Sequence, residues 1–149
     1  MELILWRHAD AEDGLLDGER KLTAKGEKQA ARMAKWLRPR LAGDTLILVS
    51  PAKRAQQTAR ALKLEFKTVK DVGTAVAAED VLRACGWPKG SGTVVVVGHQ
   101  PTLGEAAALV LTGAKQGWSL KKGAIVWLAR RADDKKDAQL RAWISPDLL

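Results

Sequence analysis

The sequence predicts a three-layer α/β domain, on three observations. Short apolar runs alternate with segments of helical periodicity, the order that lays helices on the faces of a sheet. Three of the runs, residues 3–6, 46–49 and 94–97, are apolar without interruption, as strands covered on both faces are. A chain of 149 residues, 46% hydrophobic and 28% charged, makes about one ordinary domain, spanning 1–149, that buries roughly two thirds of its unfolded surface.

Residues 3–6 form the first strand. Across 24–37, the spacing of Ala30, Met33, Ala34 and Leu37 predicts an amphipathic helix. Residues 46–49 form the second strand, and a helix over 51–62 comes after a capping Ser50. Runs 66–69 and 94–97 are the third and fourth strands, and 101–111, almost wholly apolar on one side, is a helix. The run 124–128 is a fifth strand and 140–144 a weaker sixth. The longest irregular stretches, 10–21 and 70–78, are of the kind that carries function in a compact domain.

Composition excludes several classes. A single cysteine forms no internal disulfide and fits a reducing cytoplasm. No apolar run approaches membrane-spanning length, and the short run before Arg7 is no leader, so a membrane partner is not expected. The net charge of +8 attracts phosphate-bearing partners. Nucleic acid is the less expected of these. The basic residues are dispersed apart from Lys121-Lys122, Arg130-Arg131 and Lys135-Lys136, and with no Tyr and one Phe a stacking platform is poorly supplied, six Trp notwithstanding.

One construction occurs three times. LILWRHAD, LILVSPAKR and VVVVGHQP each run an apolar strand into a polar turn, and the second and third continue through a proline, suited to a first helical position. Ligands of open α/β sheets bind at the carboxyl ends of strands, so Arg7, His8, Ser50, Arg54 and His99 are placed to face one crevice, with helix N-termini adding N–H groups. Alone, each segment has a structural reading: a core-satisfying histidine, or a capped helix with a solvated basic face. Together they supply cations, donors and a nucleophile, the set that a phosphoryl group requires. One imidazole attacks phosphorus and the remaining cations stabilise the transition-state charge. No cofactor or metal is expected, because the sequence has no Walker loop, Cys cluster or His pair at zinc spacing.

The same residues resemble a known family. Arg7-His8 is similar to the Arg-His-Gly signature of the histidine phosphatase superfamily, the phosphoglycerate-mutase-like fold. Leu22-Thr23, Gly26, Gln29 and Ala30 resemble its Leu-Thr-x-x-Gly helix start, LVSPAKRAQQTA its Ser-Pro-x-x-Arg-Ala-x-Gln-Thr segment, and VVVVGHQP its Val-Gly-His-Asn-Pro segment. KKGAIVWL resembles a late strand of the small phosphohistidine phosphatases of the SixA type. The resemblance implies a three-layer αβα sandwich with a mostly parallel mixed sheet. It also implies that His8 is the phosphorylated nucleophile, with Arg7, Arg54 and His99 as phosphate pocket and Arg20 at its rim or merely solvated. Gln100 stands where the family has asparagine and keeps an amide for substrate. Ala9 replaces the signature glycine, which is tolerated if the backbone there keeps a negative φ. Where relatives have a Glu-Leu-x-Pro segment this chain has Asp71-Val72-Gly73-Thr74, so Asp71 is the first candidate for a carboxylate near the site and Asp10 the second, a surface role being the alternative for both.

The expected activity is a metal-independent phosphatase acting on phosphohistidine in a protein, with inorganic phosphate as product and inhibitor. A chain of this length has little room for a substrate-covering lid, which favours a protein partner over a small phosphorylated compound. The rivals are a phosphatase or mutase of sugar or glycerate phosphates and a noncatalytic phosphate- or nucleic-acid-binding module.

Overall fold

The computed structural model describes residues 1–131 and 138–149, and the Lys135-Lys136 pair lies outside the described residues. Six strands form one mixed sheet: β1 (Glu2–Arg7), β2 (Leu46–Val49), β3 (Lys67–Thr68), β4 (Thr93–Gly98), β5 (Ile125–Ala129) and β6 (Gln139–Ile144). Their spatial order is β3-β2-β4-β1-β5-β6. The first four in sequence are mutually parallel, whereas β5 runs antiparallel to β1, and β6, antiparallel to β5, returns to the common direction. The expected three-layer, mostly parallel sandwich is the fold observed.

Alternation along the strands builds two apolar layers. Ile4, Trp6, Val95 and Val97 face one side, where α1 (Ala24–Leu37) and α2 (Lys53–Arg60) contribute Met33, Leu37, Ala55 and Ala59. Leu3, Leu5, Val94 and Val96 face the other, beneath α3 (Ala78–Ala84) and α4 (Thr102–Thr112). Each of these strand residues is at most 4% exposed, so β1 and β4 are rigid rails for the turns at their carboxyl ends. Removing one such side chain to alanine costs about 2–5 kcal/mol.

Boundaries differ from expectation in instructive places. The α1 limits are those that the periodicity gave. The α2 helix starts at Lys53 rather than residue 51, because Ser50 caps nothing in the helix: its Oγ accepts the Ala52 N–H at 3.2 Å and stays within the turn. The α4 helix starts at Thr102, with Pro101 as its N-cap. The seven-residue α3 was not anticipated. Too short to display a period, it is fixed by burial of Ala78, Val81 and Leu82 and by Asp80, whose Oδ2 accepts the Ala77 N–H at 3.0 Å.

Gly26 anchors the segment behind the first strand. A Cβ there would lie 1.9 Å from the Asp10 carbonyl oxygen, so only glycine lets the first turn of α1 seat on the loop. Thr23 Oγ1 accepts the Gly26 N–H at 2.9 Å and donates to Asp10 Oδ2 at 2.8 Å. The chain immediately after His8 is thereby pinned.

Candidate active site

Strand register assembles the site. Arg7 pairs with Gly98 across β1 and β4, and Val49 pairs with Val97 across β2 and β4, so the next residues, His8, His99 and Ser50, emerge side by side. They open into a cleft of about 630 Å³ lined by Arg7, His8, Arg54 and His99, with Arg20 and Gln100 also on its walls. That volume suits a small group or the protruding side chain of a larger partner. His8 is 7% exposed and His99 5%, with ring centroids 5.2 Å apart.

Partner chemistry settles the tautomers. His8 Nδ1 lies 2.8 Å from the Ala9 carbonyl oxygen, which can only accept, so Nδ1 carries the proton and Nε2 holds the lone pair. That lone pair accepts from Arg54 Nε at 3.3 Å. His99 Nδ1 sits 3.4 Å from Arg54 Nη2, a pure donor, so His99 carries its proton on Nε2 and donates it to Ser50 Oγ at 2.7 Å. The Ala9 N–H donates to Thr58 Oγ1 at 3.0 Å, which completes the frame around His8. Ala9 is fully buried and is not among the residues of positive φ, so the alanine replaces the signature glycine without strain.

The field at the site is positive and poorly solvated. Burial, aided by His99, Arg54 and Arg7 and opposed by the bond to Ala9, pushes the His8 imidazole down to about 3. Burial and the Arg54 charge push His99 down to about 4, with Asp17 working the other way. Both rings are therefore neutral near pH 7, and His8 Nε2 is a free base. Arg7 donates through Nη1 to the Leu120 carbonyl at 2.9 Å, while its buried Nε–H has no hydrogen-bond partner among the described residues. A buried donor left unsatisfied is costly, so an oxyanion supplying an acceptor there would be favoured.

Not every residue singled out in the sequence reaches this constellation. Arg20 lines the cleft, donating from Nε to the Glu12 carbonyl at 2.7 Å. The Gln100 amide is spent on the protein, its Oε1 accepting the Gly104 N–H at 2.6 Å and its Nε2 donating to the Trp118 carbonyl at 2.9 Å. Asp10 is paired with Lys122 at 2.8 Å. Asp71 is exposed on a 3-10 turn, Lys70–Val72, outside the cleft lining; residues 74–77 of that segment form the wall instead. Sequence reasoning missed Asp17, Glu105, Lys115 and Lys122. Glu105, Lys115 and Lys122 lie on the cleft wall, and Asp17 pairs with Arg54 at 3.1 Å. The 10–21 loop stands out in the sequence, but nothing in its composition separates Asp17 from its acidic neighbours.

Comparison with known proteins agrees with the geometry. Residues 3–75 match the family model of the histidine phosphatase superfamily (branch 1). The chain is 35% identical to an uncharacterized protein of Picosynechococcus sp., an alignment covering 100% of this chain and 99% of that one. It is 31% identical to phosphohistidine phosphatase SixA of Escherichia coli over 76% of each protein. The solved structure of protein histidine phosphatase SixA complexed with tungstate superposes with a TM-score of 0.84 at 24% identity, covering 99% of both chains. Structures of a phosphoserine phosphatase and a glucosyl-3-phosphoglycerate phosphatase share the fold at 19% and 17% identity. With the paired imidazoles and arginines at the strand ends, the family-model match and a relative, SixA, 31% identical over 76% of the chain, the chain belongs to the histidine phosphatase superfamily.

Proposed function

We propose that this protein is a phosphohistidine phosphatase that works through a covalent intermediate on His8, without a metal ion. The observation that carries the reading is the state of His8: a neutral imidazole, with Nδ1–H tied to the Ala9 carbonyl and Nε2 facing Arg54 in the cleft. Arg7, Arg54 and His99 form the phosphate pocket, with Arg20 at its rim and the Gln100 side chain holding the His99 turn against α4. In the first step the Nε2 lone pair attacks phosphorus in line, the new N–P bond forming as the bond to the leaving group breaks. The arginines stabilise charge on the equatorial oxygens. In the second, water attacks the phosphoryl group on His8, the N–P bond breaks, and inorganic phosphate leaves with neutral His8 restored.

Substrate preference rests on the carboxylates. Alkyl phosphate hydrolysis expels an alkoxide, for which a positioned acid contributes typically 10² to 10⁴-fold. An imidazole leaving group is protonated by solvent, since the free ring titrates at about 6.5. Asp17 is held below the ordinary carboxylate range by its bond to Arg54, and Asp71 stands outside the wall, which leaves phosphohistidine the better-matched substrate. A phosphorylated protein is the partner this favours, the cytoplasm its compartment. The second reading, a phosphatase of small phosphate esters, is supported by Glu105, a carboxylate on the cleft wall.

The test is to quench the protein during turnover of a phosphohistidine peptide and map the acid-labile phosphoenzyme by mass spectrometry. Label on His8, lost in His8→Ala together with several orders of magnitude in rate, is expected. Label on His99 reverses the roles, and absence of label with retained turnover removes the covalent route. Comparison of kcat/KM on phosphohistidine peptide and alkyl phosphate, in wild type, Asp71→Asn and Glu105→Gln, decides between the two substrate classes.

A further inference from the structure

Arg54 presents its guanidinium by two edges. The edge made by Nε and Nη2 faces the imidazoles, 3.3 Å from His8 Nε2 and 3.4 Å from His99 Nδ1. Its outer end, Nη1 with Nη2, is held by a single residue. The Asp17 main-chain oxygen accepts from Nη1 at 2.7 Å and the Asp17 Oδ2 accepts from Nη2 at 3.1 Å. The remaining carboxylate oxygen, Oδ1, accepts from Arg20 Nη1 at 3.2 Å.

We propose that Asp17 is a positioning residue for the phosphatase site: it grips the outer end of Arg54 so that the Nε/Nη2 edge stays turned to the gap between His8 and His99, where phosphoryl oxygens enter. This inference rests on the assignment of that gap as the phosphate pocket.

Three features support the role. The contacts of Arg54 to the imidazoles are long and made to neutral acceptors, so they cannot by themselves fix a flexible side chain, whereas the Asp17 contacts are charge-assisted and two-pronged. The Arg54 side chain is 5% exposed, and Asp17 is the carboxylate within ion-pair distance of it among the described residues. A cation that deep needs a counter-charge before any phosphate arrives. Finally, Asp17 takes Nη1 and one N–H of Nη2, which leaves Nε–H and the second N–H of Nη2 on the side of the imidazoles. Carboxylate and phosphoryl group can therefore hold one arginine together, from different edges.

The opposite arrangement, in which Asp17 occupies the place of the phosphoryl group, predicts opposite signs. Removing a competitor tightens anion binding and lowers KM. Removing a positioning residue lowers kcat, while KM moves little, because lost alignment is offset by the lost negative charge beside the pocket. Asp17 has a side chain 59% exposed, so its substitution leaves the core intact.

The experiment measures p-nitrophenyl phosphate hydrolysis, tungstate inhibition and the side-chain ¹⁵N NMR signal of Arg54 Nε–H in wild type, Asp17→Ala, Asp17→Asn, Arg54→Lys and the Asp17→Ala/Arg54→Lys double variant. Asp17→Ala is expected to lose about 10- to 100-fold in kcat with KM changed less than about threefold. Asn, which keeps an acceptor oxygen, should recover part of the loss. In the Arg54→Lys background the same substitution should cost no more than about twofold, since a residue acting through Arg54 has nothing left to act on. The Arg54 Nε–H signal, slowly exchanging in wild type, should broaden or vanish in Asp17→Ala. Unchanged kcat with tighter tungstate binding would overturn the proposal in favour of competition, and equal losses in both backgrounds would overturn it in favour of a role elsewhere. A wild-type protein inactive on every phosphorylated substrate would defeat the phosphatase reading instead, while the NMR signal still reports the Asp17 grip.

Discussion

Toward the amino-terminal end of β1, Arg141 donates to Glu2 Oε1 at 2.7 Å and lies 4.9 Å over the Trp127 ring, while Arg40 lies 4.6 Å over Trp36. The Trp127 Nε1–H donates to the other Glu2 oxygen at 2.6 Å. At the carboxyl end of the same strand, Arg7 keeps a buried Nε–H without a hydrogen-bond partner among the described residues, and Arg54 faces two neutral imidazoles. Both ends combine arginines, rings and a carboxylate. The first matches Arg141 and the Trp127 N–H to the two oxygens of one carboxylate in a half-exposed setting, which is how a fold closes its surface. At the second, Asp17 holds only the outer end of Arg54, while the inner edge of that guanidinium faces imidazoles that carry no negative charge, an arrangement that favours an incoming anion. An arginine's role is thus read from what its edges face.

Conservative substitution sharpens this contrast most. Arg54→Lys removes the planar fork but keeps the charge, and is expected to lower kcat/KM on p-nitrophenyl phosphate by about 10² to 10³-fold, the usual cost of one lost transition-state donor. Arg141→Lys should stay within about twofold, since an exposed ion pair contributes little. Comparable losses at the two ends would break the distinction.

A weaker effect, in pH, probes the same contrast. In the free protein burial and the Arg54 charge push His99 down to about 4, and its Nδ1 offers a lone pair that repels an oxyanion. A bound dianion raises that value, so His99 takes up a proton and donates from Nδ1. The complex then holds more protons than the free protein, and affinity rises as pH falls. Tungstate titrated calorimetrically at neutral pH in buffers of different ionisation enthalpy should show uptake approaching about one proton, equivalent to at most tenfold in affinity per pH unit. Zero uptake would mean that His99 binds in its neutral form and that the cationic edge is supplied by the arginines alone.

These features were legible in the sequence to unequal degrees. Strands as apolar as residues 3–6 and 94–97 announce themselves, and their ends place Arg7, His8 and His99 because a strand end is a point in space as well as in sequence. Arg54 came with them, being at the start of the helix after β2. Asp17 did not, since its partner is 37 residues away and the contact depends on a 3-10 turn, Asp17–Glu19, without periodicity. The departure at residues 71–74 drew attention to Asp71 as a carboxylate, but burial of Val72 turns that segment so that residues 74–77, rather than Asp71, line the cleft. Ala75 adopts φ of 59° there, a left-handed conformation that an alanine gives no hint of in sequence.

The smallest effect is expected at the closed end, and it tests whether the two ends are independent. Glu2→Gln keeps a carbonyl oxygen for the Trp127 N–H and removes the negative charge that pairs with Arg141. The Arg141 side chain is 50% exposed and Glu2 31%, so solvent already screens most of their attraction. The stacking of Arg141 on Trp127 survives and is worth about 0.5–1 kcal/mol at an exposed site. The loss in stability should therefore be under about 1 kcal/mol, a shift in Tm of roughly 2–4 °C for a chain of this size. Turnover of p-nitrophenyl phosphate should not change, because β1 is hydrogen-bonded on both sides between β4 and β5 and a slack contact at its start is absorbed before Arg7. A drop in Tm with full activity is the expected pair of results. A tenfold loss of activity at unchanged Tm would mean that strain passes along β1 to His8, and the two ends would then have to be read as one coupled network.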